Sequence, residues 1–493
     1  MEVSLVSISS HPNLKRAAGL LKTLLKNRMA LLGMIILLGS VFIAIGAPLL
    51  TPYAPITDIV SGTLAAPQWM MNFKEGYYLS QNVVVVNDPS FNAPSAIQEW
   101  NVTAAPSVLS NLVVTFAPGV SDPTGPRSAG SLQLSYTGST PATVNVVKAF
   151  FYPYNGPPSK FLPQISVLAS GANSSFPISY RLFIDRIGDQ VFSLASTNIT
   201  SNDKWVPSSN LDSSGVFVST AIAGNTGFNP ATVIFSSRQE YSYGVAVTFN
   251  GPQKINIDNI QLKLYGTAFG LLGTDGTGRD IFSWLVYGAR ISLYVGLLAA
   301  AIGIGLGLVI GLMAGYLGKV VDEVLMRFTD MLLAIPGLPL LLVLVAIIGN
   351  SETNIIIVIG FLGWMGFARI IRSQVLSLRE RPFIEASKAA GAGPTRIMVR
   401  HIFPNIVGLT YVNLALTVPG AILSEAALAF LGLGDPKVVS WGQMFHNAED
   451  SGNLFIWWWV IPPGVAIALV SLSFILIGYA LDEIFNPKLR QRR

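Results

Sequence analysis

Long apolar stretches without a charged side chain recur along the chain in two unequal groups. Residues 29–57 carry no charge and begin MALLGMIILLGSVFIAIGAPLL. Charge-free windows that are also strongly apolar return at 291–318, 331–351, 353–368, 402–424 and 451–481. A bilayer span takes about 20 apolar residues, so the windows predict six transmembrane helices. One stands alone near the N-terminus, over 29–50, and five crowd into the last part of the chain. The window 353–368 reaches span length by taking in Arg369 and Arg372, whose long side chains can snorkel at its end. A secretory signal peptide would share the basic flank of the first segment (Lys15, Arg16, Lys22, Lys26, Arg28). Its apolar core would be only about 7–15 residues long, so the longer run predicts a retained helix.

Between the two groups the pattern changes. Residues 51–270 hold 220 residues with no candidate span, rich in Ser, Thr, Asn, Gly and Pro. Short β-branched and aromatic runs punctuate them: 82–88, 111–116, 131–136, 143–152, 232–237, 243–249 and 255–265. Leu132, Leu134 and Tyr136 alternate with polar residues, as a half-buried strand requires. Many short strands parted by turn residues predict a sandwich or barrel. The last run, with Asp258 in an alternating strand, resembles the closing strand of jelly-roll carbohydrate-binding modules; a β-sandwich that only spaces or docks another molecule reads equally from the pattern.

Charge distribution orients the segments. With the N-terminus inside, 1–28, 319–330, 369–401 and 482–493 hold 18 of the 31 Lys and Arg. Both termini are then expected in the cytoplasm and the insert outside the cell. Asn101, Asn173 and Asn198 stand in N-x-[ST] sequons and are expected glycan acceptors there. The net charge of +5 therefore follows topology and predicts no nucleic-acid partner. Charged residues make up 12% of the chain, about half the usual share of a soluble domain. With no cysteine and three histidines far apart, thiolate chemistry and a zinc cluster are excluded, and no metal site or cofactor is predicted.

The most basic loop, 369–404, reads RIIRSQVLSLRERPFIEASKAAGAGPTRIMVRHIFP. Gly391 and Gly393 break a helix and Pro394 suits the first turn of another. Small residues around 384–390 would let a second protein approach the backbone closely; a basic helix on lipid headgroups is the alternative reading. Glu385-Ala386-Ser387, Gly391 and Ile402-Phe403-Pro404 resemble the EAA loop of ABC-importer permeases. Ser387, His401 and Phe403 depart from its pattern, E-A-A-x3-G-x9-I-x-L-P. The run 272–293, LGTDGTGRDIFSWLVYGARISL, and the run 425–434, EAALAFLGLG, are similar to the C-subunit type of the dipeptide/oligopeptide/nickel importers.

That resemblance implies an all-α polytopic membrane protein of type I ABC importer permease fold, carrying a β-rich, sandwich or jelly-roll-like extracellular insert. Its parts would be a cytoplasmic segment 1–28, a helix 29–50, the insert 51–270 and a permease core 271–493. The coupling loop, 383–404, would meet the ATPases through Glu385, Ala386, Ser387, Gly391, Arg396, Arg400 and Pro404. Gly273, Thr274, Asp275, Gly278, Arg279 and Asp280 would shape turns at the outer interface. LGTDGTGRD lacks the Lys-Ser/Thr of a phosphate-binding loop, and no Walker motif appears in the chain. ATP and Mg would thus belong to partners: two cytoplasmic ABC ATPases, beside a homologous second permease in a heterodimer, an external solute-binding protein and membrane lipid. The chain itself is expected to be no enzyme.

Glu425 lies inside an apolar region, where a charge marks a pathway or a subunit contact, or simply a helix end. Gly303, Gly305, Gly307 and Gly311 line up for close helix contact. The resemblance implies peptides as cargo, with oligosaccharides as the alternative. An ion-coupled secondary transporter and a surface receptor or adhesion protein remain as other classes. The first is disfavoured by the scarcity of charges in the spans, and the second leaves the EAA-like loop unexplained.

Overall fold

The computed structural model describes residues 23–125, 128–208 and 229–485; the basic stretches 1–22 and 486–493 lie outside the described residues. The chain divides into two compact units, Met1–Thr57 with Ile281–Arg493, and Asp58–Asp280.

The first unit is helical. Its helices are α1 (Arg28–Leu50), α2 (Ile281–Leu317), α3 (Lys319–Ala334), α4 (Gly337–Ile348), α5 (Glu352–Leu362) and α6 (Met365–Arg379). There follow α7 (Pro382–Ala389), α8 (Pro394–Ile397), α9 (Phe403–Leu428), α10 (Trp441–Asp450) and α11 (Trp457–Phe485). Among the described residues, five helical segments are long and apolar enough to cross a membrane: α1, α2, Glu352–Arg379, Pro394–Leu433 and α11. The window 331–351, expected as one span, is instead two helices, α3 and α4, meeting at 92°. Pro336 is the reason. It offers no N–H, and its ring bars the preceding residue from helical angles; Ile335 accordingly sits at ψ 132°. The number of spans reaches six only if the bent pair counts as one.

Helix α2 begins ten residues before its charge-free window and so contains Arg290. The guanidinium has a specific use there. Pro48 lies inside α1 and cannot donate to the carbonyl four residues back, that of Ala44. Arg290 Nε donates to this Ala44 oxygen at 3.2 Å. The α1 N-terminus is capped by Asn27, whose Oδ1 accepts from Met29 N–H at 2.9 Å. Its Nδ2 donates to Glu483 of α11 at 2.9 Å.

Small residues set the packing of α2 on α6. A Cβ on Gly311 would lie 2.6 Å from the Ala368 oxygen, and one on Gly307 2.7 Å from the Trp364 oxygen. Gly305, expected in the same row, has open space at its Cβ position, since it turns to another face of the helix.

The second unit is a two-sheet β structure. Its strands are β1 (Val83–Val84), β2 (Asn101–Thr103), β3 (Leu112–Pro118), β4 (Gly130–Tyr136), β5 (Ala142–Tyr152) and β6 (Lys160–Ser170). They continue with β7 (Ile178–Arg186), β8 (Gln190–Ile199), β9 (Trp205–Pro207), β10 (Gln239–Phe249) and β11 (Gln253–Tyr265). One sheet runs β3-β4-β11-β6-β9 with β1 also on β11; the other runs β2-β5-β10-β7-β8. Every pairing is antiparallel. The core is mainly aliphatic, with an aromatic cluster in it: Phe235 stands 5.3 Å from Tyr152 and 5.1 Å from Tyr241, ring centre to ring centre. The run 232–237, expected as a strand, instead begins in a helical turn, Pro230–Ile234. Asn229 caps it by accepting from Ala231 N–H, and Pro230 suits its first position.

The borders of this unit also differ from 51 and 270. Residues 271–280 join it because they bond to 60–66: Leu64 N–H to Asp275 O at 2.8 Å, Val60 N–H to Gly278 O at 2.9 Å, and Ala65 N–H to Thr274 Oγ1 at 2.8 Å.

The packing of α2 on α6 is directly testable. Gly311→Leu should cost about 1–3 kcal/mol through overpacking and lower the thermal midpoint of the detergent-solubilised chain, while Gly305→Leu leaves it unchanged by scanning fluorimetry.

Candidate functional site

The 382–402 stretch folds as an elbow. Pro382 opens α7, and the helix ends where Gly391 takes φ +80°, a left-handed conformation that costs other residues strain. Gly391 N–H bonds the Lys388 carbonyl at 2.9 Å and Ala392 N–H that of Ser387 at 3.1 Å. Pro394 then opens α8, and a π-helical turn, Met398–Ile402, leads into α9. Ser387, standing where the EAA pattern has alanine, donates its hydroxyl to the Phe383 carbonyl at 2.8 Å. The serine thus satisfies itself within the helix.

The elbow has two sides. Ile384, Ile397 and Ile402 are fully buried, and they pack with Phe367, Ile371 and Val375 of α6 and Ile304 of α2. Lys388 lies over the ring of Tyr316 at 5.6 Å. The opposite side is exposed: Glu385, Ala386, Gly391, Arg396, Arg400 and Pro404. Phe383 and Val399 are also exposed, 44% and 61%. Two large apolar side chains among small residues and arginines make a surface that can receive another protein, held on a buried isoleucine anchor.

Nearby, the arginines expected to snorkel are instead paired. Arg372 meets the Asp322 carboxylate of α3 with two nitrogens, Nη2 at 2.6 Å from Oδ2. Arg369 pairs with Asp330. These pairs join α6 to α3. Sequence alone offered as a signal only that acids on α3 match arginines one window later.

The LGTDGTGRD motif is a knot rather than an open site. Thr274, Asp275 and Asp280 are nearly fully buried. One Asp275 oxygen accepts from Thr277 N–H, the Thr277 hydroxyl and Arg279 N–H; the other accepts from Arg279 Nε at 2.7 Å. Gly273 and Gly278 take the positive φ values the turns need. Thr274 Oγ1 reaches back to the Gly62 carbonyl at 2.6 Å.

Asp258 is wholly buried and holds a loop. Its carboxylate accepts from the N–H groups of Asp122 and Asn259 and from Ser128 Oγ, at 2.8–2.9 Å. Burial outweighs these bonds and pushes Asp258 above the usual carboxylate range. At Asp122 burial acts the same way, but bonds from Ser166, Thr124 and Asn259 outweigh it and hold the group below. The three sequon residues are apart: Asn101 on β2, Asn173 in the turn after β6, and Asn198 on β8, all exposed.

Glu425 is turned inward, 5% exposed. It lines a small cavity with Glu352 at the start of α5 and Asp435 in the segment before α10. The stretches bearing these two acids are tied together: Asn350 Nδ2 donates to the Gly434 carbonyl at 3.0 Å, and Glu352 N–H approaches Asp435 Oδ2 at 3.4 Å. The grouping of the three acids was not foreseen from sequence, where each ends or interrupts a different apolar window.

A helical membrane unit with such an elbow is that of a type I ABC importer permease. Comparison with known proteins agrees. The family described as binding-protein-dependent transport system inner membrane component matches residues 307–491, and the N-terminal TM domain of oligopeptide transport permease C matches 18–67. The dipeptide transport system permease protein DppC of Bacillus subtilis is 39% identical over 220 residues, 44% of this chain and 69% of that protein. DppC of Alkalihalophilus pseudofirmus is 42% identical over 222 residues, 44% of this chain and 72% of that protein. A chain of the methionine ABC transporter MetNI is 20% identical over 42% of this chain and 97% of its own, at a TM-score of 0.33, too low to carry an argument. The chain belongs to the ABC importer permeases of the dipeptide and oligopeptide C-subunit type, and is a multi-pass membrane protein.

The anchor predicts a graded response. Ile397→Ala removes buried packing of about 2–5 kcal/mol and should speed tryptic cleavage at Arg396 and Arg400 in the purified chain. Val399→Ala, on the exposed side, should leave the cleavage rate as it is.

Proposed function

We propose that this chain is one of two membrane subunits of an ATP-driven importer of peptides. The exposed side of the 382–402 elbow, on its buried isoleucine anchor, carries the reading. A partner ATPase would seat on Phe383, Ala386 and Val399, with Glu385, Arg396 and Arg400 around them. Closure of two such ATPases on Mg-ATP would push the elbow as a rigid piece, because α7, α8 and the π-helical turn share one packed core with α2 and α6. The helices would then exchange between two states biased by nucleotide. A homologous second permease would complete the pathway, and an external solute-binding protein would deliver the cargo. Peptide cargo is supported by the names of the relatives; oligosaccharide is the alternative that a substrate test decides.

The same reading puts the termini and the elbow in the cytoplasm and Asp58–Asp280 outside, with Asn101, Asn173 and Asn198 exposed there to glycosylation. The LGTDGTGRD knot then closes the base of the external unit. With its acids buried, the motif has Thr277 and parts of Leu272, Gly276 and Arg279 left for any contact with a binding protein.

Two measurements test this. In the complex reconstituted with its ATPases and binding protein, Glu385→Arg reverses a charge on the docking side and Gly391→Val strains the turn. Each should lower labelled-peptide uptake at least tenfold with the subunit still at the membrane; normal uptake in both would sink the assignment, and uptake of oligosaccharide but not peptide would change the cargo. For topology, a cysteine at Ser110 should react with an impermeant thiol reagent on intact cells and one at Ala389 should not. The chain has no native cysteine to confuse the result.

A further inference from the structure

The cavity beside Glu425 takes no part in the elbow. Its volume is about 10 Å³, room for about one water-sized occupant. Its walls are Ile291 and Val295 of α2, Glu352 and Ile355 of α5, Glu425 of α9, and Asp435, Val438 and Ser440. Glu425 Oε2 is buried and has no hydrogen-bond partner. Ser440 and Ser292 supply the hydroxyls beside the same carboxyl. Among the described residues no Lys, Arg or His forms an ion pair with any of the three acids. Lys437, the nearest base in sequence, is exposed and meets Asp435 through its backbone N–H, at 3.0 Å.

Three like charges around so small a space, with no counter-charge, repel each other. The buried Oε2, which has no hydrogen-bond partner although two serine hydroxyls stand beside the carboxyl, adds a desolvation cost. Among the described residues no group of three or more His, Cys, Asp or Glu is placed to hold a metal ion. One added proton answers both costs. It removes a charge, and it turns the orphan oxygen into a donor.

We propose that this cavity is a proton-binding site, with the proton carried on Glu425 and facing Glu352 and Asp435. Uptake takes the proton from solvent and forms one O–H bond on the Glu425 carboxyl; release returns it. The protonated carboxyl can donate to either neighbouring carboxylate and so draw α9 toward the start of α5 and the Gly434–Asp435 turn. The ionised form repels both. The site lies seven residues before Gly432, where φ +81° interrupts the helix, so gain and loss of the proton act on a joint already broken. The inference stands apart from the transport reading.

Infrared difference spectroscopy on the full chain in nanodiscs tests it without any transport assay. The wild type should show a protonated-carboxyl stretch at pH 7 that Glu425→Gln removes. Glu352→Gln and Asp435→Asn should each keep the band and move its disappearance to lower pH by roughly one unit, since each deletes one repelling charge from a coupled set. Absence of the band in the wild type overturns the proposal. So does a band indifferent to Glu425→Gln, or one that added Na⁺ abolishes at constant pH, which would mark a sodium site. Should Glu425→Gln fail to fold, the other two variants decide: an unmoved midpoint in both is a refutation.

Discussion

A chain that crosses a bilayer must satisfy its own backbone, because hydrocarbon offers no donors or acceptors. Much of the helical unit follows from this constraint. At two prolines the structure shows two answers to a lost donor: ending the helix, or bringing in another donor. Pro336 ends one, and α3 and α4 part at 92°. Pro48 does not end α1, and the carbonyl it leaves open is taken by Arg290 of α2. A charge that seemed to mark the border of a span is therefore part of how two spans hold together. The paired Arg372 and Asp322 serve α6 and α3 in the same manner.

The β unit answers a different constraint. Its core must be filled from two sheets, and tyrosines do part of the filling. A large phenol inside must find an acceptor, and three do so on backbone: Tyr243 on Gln261, Tyr241 on Ser237, Tyr152 on Gly156.

What could be read from the sequence depended on whether a signal was local. Strands β3, β4, β5, β10 and β11 announce themselves by alternation. β6 does not, because Pro163 interrupts it; the structure tolerates that proline where β9 covers only Ser166–Leu168 of the strand. The run 232–237 looks like a strand by composition, but Asn229 and Pro230 start a helical turn before its β-branched residues can pair. The helix–turn–helix of the elbow was legible, since its glycines and prolines dictate backbone angles by themselves; its π-helical turn and its buried isoleucine anchor were not. The acids around Glu425 were not, since nothing local says that residues 352, 425 and 435 meet. Gly305 shows the same limit: spacing places it in a row of glycines, and only the neighbouring helix reveals that it has no contact.

Asn27 and Glu483 hold hands across 456 residues of chain, and that distance has a consequence in time. At about 5–20 residues per second of synthesis, roughly 20–90 seconds separate the making of α1 from the making of its partner α11. For roughly the first half of that interval, until α2 is made and Arg290 reaches Ala44, α1 rests in the lipid without its partner helices. Its sparse burial, 17% of the spanning window, suits that wait: few of its side chains depend on neighbours not yet made. Helix α1 is therefore locked in two stages, first by α2 and later by α11.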